Sequence, residues 1–514
     1  MTTEIRTRVD SPTTFLDGHV EAGRGQATAI ATLGERVTYA ELLDRVGRMA
    51  NGLRALGVSR GDRILVALDD GVELVVAFYG ALRMGAMPVP VNPYYNAGHY
   101  AHFLRDMDVR AVVVGPETAE RVRPGTQDAD VRVVTTGAPP EREMAFDALL
   151  EAHEPHAAPA PVRDEDAAFC MYTSGTTGNP KGVVHRARSL AAACDAYARH
   201  VLELRHDDVT YSTAKLSHAY GLGNGMLAPL WHGATTVLRA GRPVPEQVLE
   251  TIRDENVTVL FSVPTHYRGM LELGSGANLA GSLRACVSAG ERLSAATWHE
   301  WHERTGIEVL DGIGSTEMLQ FYCSNAPGHV RPGSTGKAVP GYELKIVDSR
   351  GRRVPDGRSG ELLVSGPTTL ARYWNDMSRT KERLRGRWYR TGDTYRLDED
   401  GFYWFVGRTD DMLKVSGLWV APLEIESVLT RHPAVASAAV VATATLDTNE
   451  ICAFVVPAEP HTDPERLADD LRRLCKESLQ RHRYPRRIKF VDELPTGPTG
   501  KLQRSRLREL LQPG

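Results

Sequence analysis

Apolar residues Leu42, Leu43, Val46, Met49 and Leu53 recur every three or four positions behind Thr38, which predicts an amphipathic helix to about Gly57 with Thr38 as its cap. A short apolar run from Ile64 to Leu68 predicts a strand, the segment through Leu82 a helix, and Met87 to Val91 a second strand. Strand-like runs continue at 111–114, 131–135, 235–238, 257–261 and 283–288. This alternation predicts a large α/β body. The small-residue and proline stretch from Ala152 to Val162 reads as a surface connection, because the alternation resumes after it. From about Arg358 the elements shorten, with strand candidates at Gly360 to Val364 and Gly401 to Val406. Beyond Arg408 to Asp411 the runs at 424–429, 436–441 and 465–481 suggest a small α+β unit. The expected architecture is therefore α/β: a multi-subdomain N-terminal body over 1–409 and a small, mobile α+β C-terminal domain over 410–514.

With 514 residues the chain exceeds what one hydrophobic core organises, and 42% hydrophobic with 25% charged residues is ordinary globular usage. Its 61 Lys and Arg against 65 Asp and Glu leave a formal charge of -4, so there is no basic field to hold nucleic acid. The six cysteines show no CxxC pair and no zinc spacing, which fits reduced, packed thiols and a cytoplasmic location. Met1 to Asp10 lacks an apolar signal core, and Glu73 and Arg83 interrupt the longest apolar stretch, so neither secretion nor a membrane span is expected.

The stretch from Met171 to His185, MYTSGTTGNPKGVVH, ends an apolar strand in glycines and hydroxyls ahead of a lysine. Glycines let backbone N–H groups approach a phosphate, the hydroxyls of Thr173, Ser174, Thr176 and Thr177 add donors around Gly175, and Lys181 adds charge. It is not a Walker A loop, and in isolation it is equally a plain Gly/Thr turn. It is not in isolation. Asp311-Gly312-Ile313-Gly314-Ser315-Thr316-Glu317, Tyr389 to Asp393, Gly407-Arg408 to Asp411 and Gly500-Lys501 follow in order.

This set resembles the acyl-adenylate-forming superfamily of acyl-CoA synthetases, peptide-synthetase adenylation domains and firefly-type luciferases, from Thr38 to about Arg508. Lys215 to Asn224, Cys286 to Glu291 and Asp311 to Leu319 look most like its benzoate-CoA ligase branch. The resemblance implies an ATP-dependent ligase that turns an aromatic carboxylate into an acyl-adenylate and passes it to coenzyme A. A phosphopantetheinylated carrier protein is the alternative acceptor, and a monomer or homodimer is expected. ATP or AMP would be held by Thr173 to Thr177, Lys181, Ser288, Ala289, Gly290, Glu291, Asp311 to Ile313, Ser315 and Thr316, with Asp393 and Arg408 on the ribose. Glu317 would hold Mg²⁺, Thr316 would donate to the α-phosphate, and Lys501 would bridge acid and phosphate during adenylation. Ile313 departs from relatives that stack an aromatic residue on adenine.

Asp410 matches the hinge about which the C-terminal domain turns between half-reactions, and Ser416, Gly417, Leu418 and Trp419 match the loop along the pantetheine tunnel. Arg486, in a basic run that is equally a solvated face, matches a CoA contact. The acid pocket implied comprises Ser217, His218, Ala219, Tyr220, Gly221, Gly314 and Gln320, beside Ser288, Ala289 and Gly290. No aspartate stands between Lys215 and Gly225 to pair an α-ammonium, which disfavours ordinary α-amino acids. Gln320 stands where the branch most often has histidine, and with Ser217 or His218 it is expected to hydrogen-bond a ring hydroxyl or amino group, as in salicylate or 2-aminobenzoate.

Overall fold

A computed structural model of the chain describes residues 5, 11, 13–126, 130–138, 140, 143–173, 180–274, 282–411, 413–415, 418–444, 449–459, 463–479, 484–495 and 502–511. The chain is mixed α/β and divides into two units. The first holds residues 1–344, 364–390 and 401–403, and the second holds 345–363, 391–400 and 404–514. Where the sequence suggests one cut after residue 409, the second unit thus reaches back for two earlier segments. Within that unit the earlier segments are tied in by Thr391 Oγ1, which donates to the Leu362 carbonyl at 2.8 Å, and by Trp404 Nε1, which donates to Asp398 at 2.7 Å.

In the first unit a nine-stranded sheet carries, at its centre, the parallel strands Val309–Gly314, Ala285–Ser288, Val259–Ser262, Val209–Ser212 and Thr235–Val237. Thr210, Tyr211, Cys286 and Val287 along them are buried, as strands covered on both faces must be. A second, five-stranded parallel sheet runs Met87–Pro90, Arg63–Ala67, Val109–Val114, Arg132–Thr135 and Met144–Ala145. The expected amphipathic helix spans Tyr39–Ala55, and Thr38 and Glu41 close a reciprocal capping box at its start. Leu42, Val46, Met49 and Leu53 are fully buried along its inner face.

The second unit ends in a three-stranded sheet, Val435–Ala444, Asn449–Pro457 and Arg487–Phe490, with helices Pro422–Leu429 and Pro464–Ser478. Ile425, Leu429, Leu467 and Leu471 pack with Val440 and Val455 to form its core.

Candidate active site

Parallel strands point their carboxyl ends to one edge of the sheet, where loops free of ladder pairing can gather polar groups. Three groups of acid-pocket and nucleotide candidates of the first unit lie on that edge of the nine-stranded sheet, while Thr173 and Lys181 belong to a separate three-stranded sheet. Ser217 to Gly221 follow the Val209–Ser212 strand, Ser288 to Glu291 follow the Ala285–Ser288 strand, and Asp311 to Thr316 occupy and follow the Val309–Gly314 strand. Ser288 and Asp311 are register partners. Gly290 has φ +85°, a left-handed conformation that suits glycine at the turn off the strand.

Tyr220 spans two strand ends, its hydroxyl 3.0 Å from the Ser262 carbonyl and 3.2 Å from that of Val287. Asp311 is buried, which pushes its carboxyl well above the usual carboxylate range despite the Ser288 hydroxyl beside it. Its carbonyl accepts from the Asn325 backbone N–H at 2.9 Å and the Asn325 side-chain amide at 3.0 Å. A Cβ at Gly314 would approach the Gln320 carbonyl oxygen to 2.8 Å, so glycine is required where this strand passes the next.

The short turn Thr316–Met318 is held at every carbonyl. His185 Nε2 donates to the Thr316 carbonyl at 2.8 Å, the Leu370 N–H to that of Glu317 at 2.8 Å, and Thr368 Oγ1 to that of Met318 at 2.6 Å. Burial pushes His185 down to about 4, so the ring is neutral with its proton on Nε2, and it stacks on Phe169. The Glu317 carboxylate accepts from the Tyr373 hydroxyl at 2.7 Å through Oε1. None of these partners carries a site signal in the sequence except His185, which closes the glycine-threonine motif.

Thr173 and Lys181 are partners across the antiparallel strands Ala167–Thr173 and Lys181–Arg186. Ser174, Gly175, Thr176 and Thr177 lie outside the described residues, as do Ser416, Gly417 and Lys501 and the side chains of Asp410, Leu418 and Trp419. In the second unit, Arg408 donates to Asp393 at 2.7 Å, and the Asp393 N–H donates to Thr391 Oγ1 at 3.0 Å. Arg486 is exposed, and its N–H donates to the Ile451 carbonyl at 3.1 Å.

The expectation for Gln320 needs correction. Its amide is buried and forms a reciprocal pair with Asn224: Gln320 Nε2 donates to Asn224 Oδ1 at 3.1 Å, and Asn224 Nδ2 donates to Gln320 Oε1 at 3.2 Å. The Phe321 N–H donates to the same Oε1 at 3.0 Å. Both lone pairs of Gln320 Oε1 are thus engaged, so it cannot accept from a ring substituent, and one of the two N–H groups of Nε2 is spent on Asn224. The Ser217 hydroxyl, by contrast, is buried and has no hydrogen-bond partner among the described residues. Burial alone lowers His218 from the usual imidazole range, which keeps it neutral.

The pattern of the AMP-binding enzyme family matches residues 18–374, and that of the AMP-binding enzyme C-terminal domain matches 424–501. The chain belongs to this family, the acyl-adenylate-forming enzymes. Within it the chain is an AMP-forming acid–CoA ligase, similar over nearly its whole length to enzymes of the benzoate-CoA ligase branch. It is 40% identical to the benzoate–CoA ligase of Thauera aromatica, over 98% of this chain and 97% of that one. It is also 40% identical to a 4-hydroxybenzoate–CoA/benzoate–CoA ligase of Rhodopseudomonas palustris, over 96% and 93%. Among solved structures, an anthranilate CoA ligase in complex with anthranoyl-AMP superimposes with a TM-score of 0.91 at 36% identity, covering 97% of each chain.

Proposed function

We propose that the chain joins an aromatic carboxylate, benzoate or a hydroxy- or amino-substituted benzoate, to coenzyme A at the expense of ATP. The observation that carries this reading is the gathering of Ser217 to Gly221, Ser288 to Glu291 and Asp311 to Thr316 on one carboxyl edge, in a chain that matches aryl-acid ligases end to end. In the first half-reaction a carboxylate oxygen attacks the α-phosphorus and the bond to pyrophosphate breaks. In the second the CoA sulfur attacks the acyl carbon and AMP leaves.

Charge on the phosphoryl oxygens must be met by fixed donors, and a turn whose carbonyls are all held presents Thr316 and Glu317 without reorganisation. The hydroxyl of Thr316 is assigned to the α-phosphate, Lys181 and the loop before it to pyrophosphate, Asp393 and Arg408 to the ribose, and Lys501 to the reacting carboxylate. Tyr373 occupies one oxygen of Glu317, and no hydrogen bond to the other is formed among the described residues. Among the described residues no three His, Cys, Asp or Glu side chains form a metal cage. That donor set suits Mg²⁺ arriving on ATP, a hard cation that takes one carboxylate and phosphate oxygens, and Glu317 would hold it while it neutralises phosphate charge. The C-terminal domain from residue 410 is proposed to carry Lys501 in, and then to turn at Asp410 to bring Gly417 and its neighbours to the pantetheine arm.

Ser217, buried with a hydroxyl that has no partner among the described residues, is the group assigned to meet a ring substituent such as the hydroxyl of salicylate, ahead of Gln320. All six cysteines are free and buried, in keeping with a cytoplasmic location. No described helix is long and apolar enough to cross a membrane. A panel of benzoate, hydroxybenzoates, aminobenzoates, cinnamate and fatty acids, assayed with CoA for AMP release, tests the assignment. Aromatic acids are expected to lead, and equal turnover of fatty acids would contradict it.

A further inference from the structure

Directly after the Arg63–Ala67 strand of the five-stranded sheet, Leu68 is followed by two carboxylates that the adenylation chemistry does not use. Lys215 Nζ donates to Asp69 Oδ1 at 2.8 Å and to the Arg239 carbonyl at 2.9 Å, and lies 3.7 Å from Asp70 Oδ2. Asp69 Oδ2 also accepts from the Gly241 N–H at 2.7 Å and from the Tyr94 hydroxyl at 2.8 Å. The other oxygen of Asp70 accepts from the Leu216 N–H at 3.0 Å. Asp70 is buried, and a buried carboxylate costs several kcal/mol unless a cation and donors compensate, so this arrangement needs a purpose in the fold.

The purpose is visible one residue further along. The Lys215 carbonyl accepts from the His218 N–H at 2.9 Å, which starts the turn carrying Ala219, Tyr220 and Gly221. Ser212 Oγ donates to the neighbouring Ala214 carbonyl at 3.1 Å. Any side chain at Gly221 would run into the Lys215 and Ala214 carbonyl oxygens, so the turn sits directly on the backbone that Asp69 and Asp70 hold. A cavity of about 250 Å³, lined in part by Asp70, Thr213, Lys215 and Arg239, lies beside this backbone, so no dense packing on that side would fix it instead.

We propose that Asp70 and Lys215 are positioning residues for the acid pocket: one clamps the Leu216 N–H and the other the Arg239 carbonyl, and together they set where Ser217 to Gly221 stand. The proposal rests on reading that segment as the acid-binding one. No bond of the Asp69, Asp70 and Lys215 side chains runs to Ser288, Asp311, Thr316 or Glu317 among the described residues, so the acid-binding segment is expected to be affected before the ATP site.

The test uses the full-length chain and ATP–pyrophosphate exchange with benzoate as the probe. Asp70→Ala removes the acceptor for Leu216 N–H, whereas Asp70→Asn keeps an oxygen there. Asp70→Ala is expected to raise KM for benzoate by up to roughly tenfold, the upper scale of one hydrogen bond, with KM for ATP unchanged. Asp70→Asn is expected to restore most of that loss, which a merely structural role would not produce. A parallel rise in both KM values, or an Asn variant no better than Ala, overturns the proposal. If Asp70→Ala is recovered unfolded, Lys215→Gln, which leaves the bond to Leu216 in place, carries the same expectation and the same refutation. Wild-type exchange with acetate in place of benzoate overturns the aryl reading alone, and the Asp70 comparison is then read with acetate.

Discussion

The two parallel sheets of the first unit are built alike and used differently. Of the five central strands of the nine-stranded sheet, four end in Ser212, Ser262, Ser288 and the glycine-rich run after Asp311 and one ends in Val237, and the candidate site residues hang from the Ser212, Ser288 and Asp311 ends. The five-stranded sheet ends in Ala67, Pro90, Val114, Thr135 and Ala145, and the polar pair that follows the first of these ends, Asp69 and Asp70, is turned to holding Lys215 and Leu216. Its own cavity, about 650 Å³, opens at the opposite, amino edge among Asp62, Arg63, Asp108 and Arg110, where Arg63 and Arg110 are already paired with Asp108 and Asp130. The two sheets thus differ in what their loops carry: one presents the candidate site residues, and the other supports the backbone beneath them.

The largest break in this contrast should come from Glu317→Gln, which leaves the Tyr373 contact possible but removes the charge. Loss of such a group costs on the order of a hundred- to thousandfold in adenylation. Pyrophosphate exchange should fall by that factor, while a supplied acyl-adenylate should still be converted to thioester. Next, Tyr373→Phe removes the 2.7 Å bond that orients Glu317, and about tenfold is expected in the same exchange assay, the range of one charge-assisted hydrogen bond.

A smaller effect is expected for ring selectivity. Ser217→Ala should lower the kcat/KM ratio of 2-hydroxybenzoate to benzoate by several-fold, since a hydroxyl that meets a polar substituent discriminates against its loss. Gln320→Leu, which breaks the pair with Asn224, should reduce kcat/KM for both acids together. A selectivity change confined to Gln320→Leu would return the specificity role to that residue.

At the amino edge of the five-stranded sheet, Arg110→Met should change stability by no more than about 1 kcal/mol, as for exposed ion pairs, and leave both half-reactions as they were. A loss of exchange in that variant would mean that the five-stranded sheet does more than support.

Much of this was legible in the sequence because it is local. The capping box at Thr38 and Glu41, the apolar strand runs, and the glycines, hydroxyls and Lys181 of one short motif all sit within a few residues of one another. The rest was hidden by separation along the chain. Asn224 and Gln320 lie 96 positions apart, and His185 and Thr316 lie 131 apart, so no spacing rule joins them. A buried glutamine looks the same in sequence whether its amide meets a ligand or a neighbour. The recruitment of residues 345–363 to the second unit is likewise a matter of tertiary pairing that no local pattern announces.

The central claim is that this chain makes an aryl adenylate and then an aryl thioester. Incubation with ATP and benzoate, with CoA withheld and then added, tests it most directly by mass spectrometry of the products. Benzoyl-AMP and pyrophosphate are expected in the first stage and benzoyl-CoA with AMP in the second. Release of ADP and phosphate, or thioester formed with no adenylate at any stage, would contradict it.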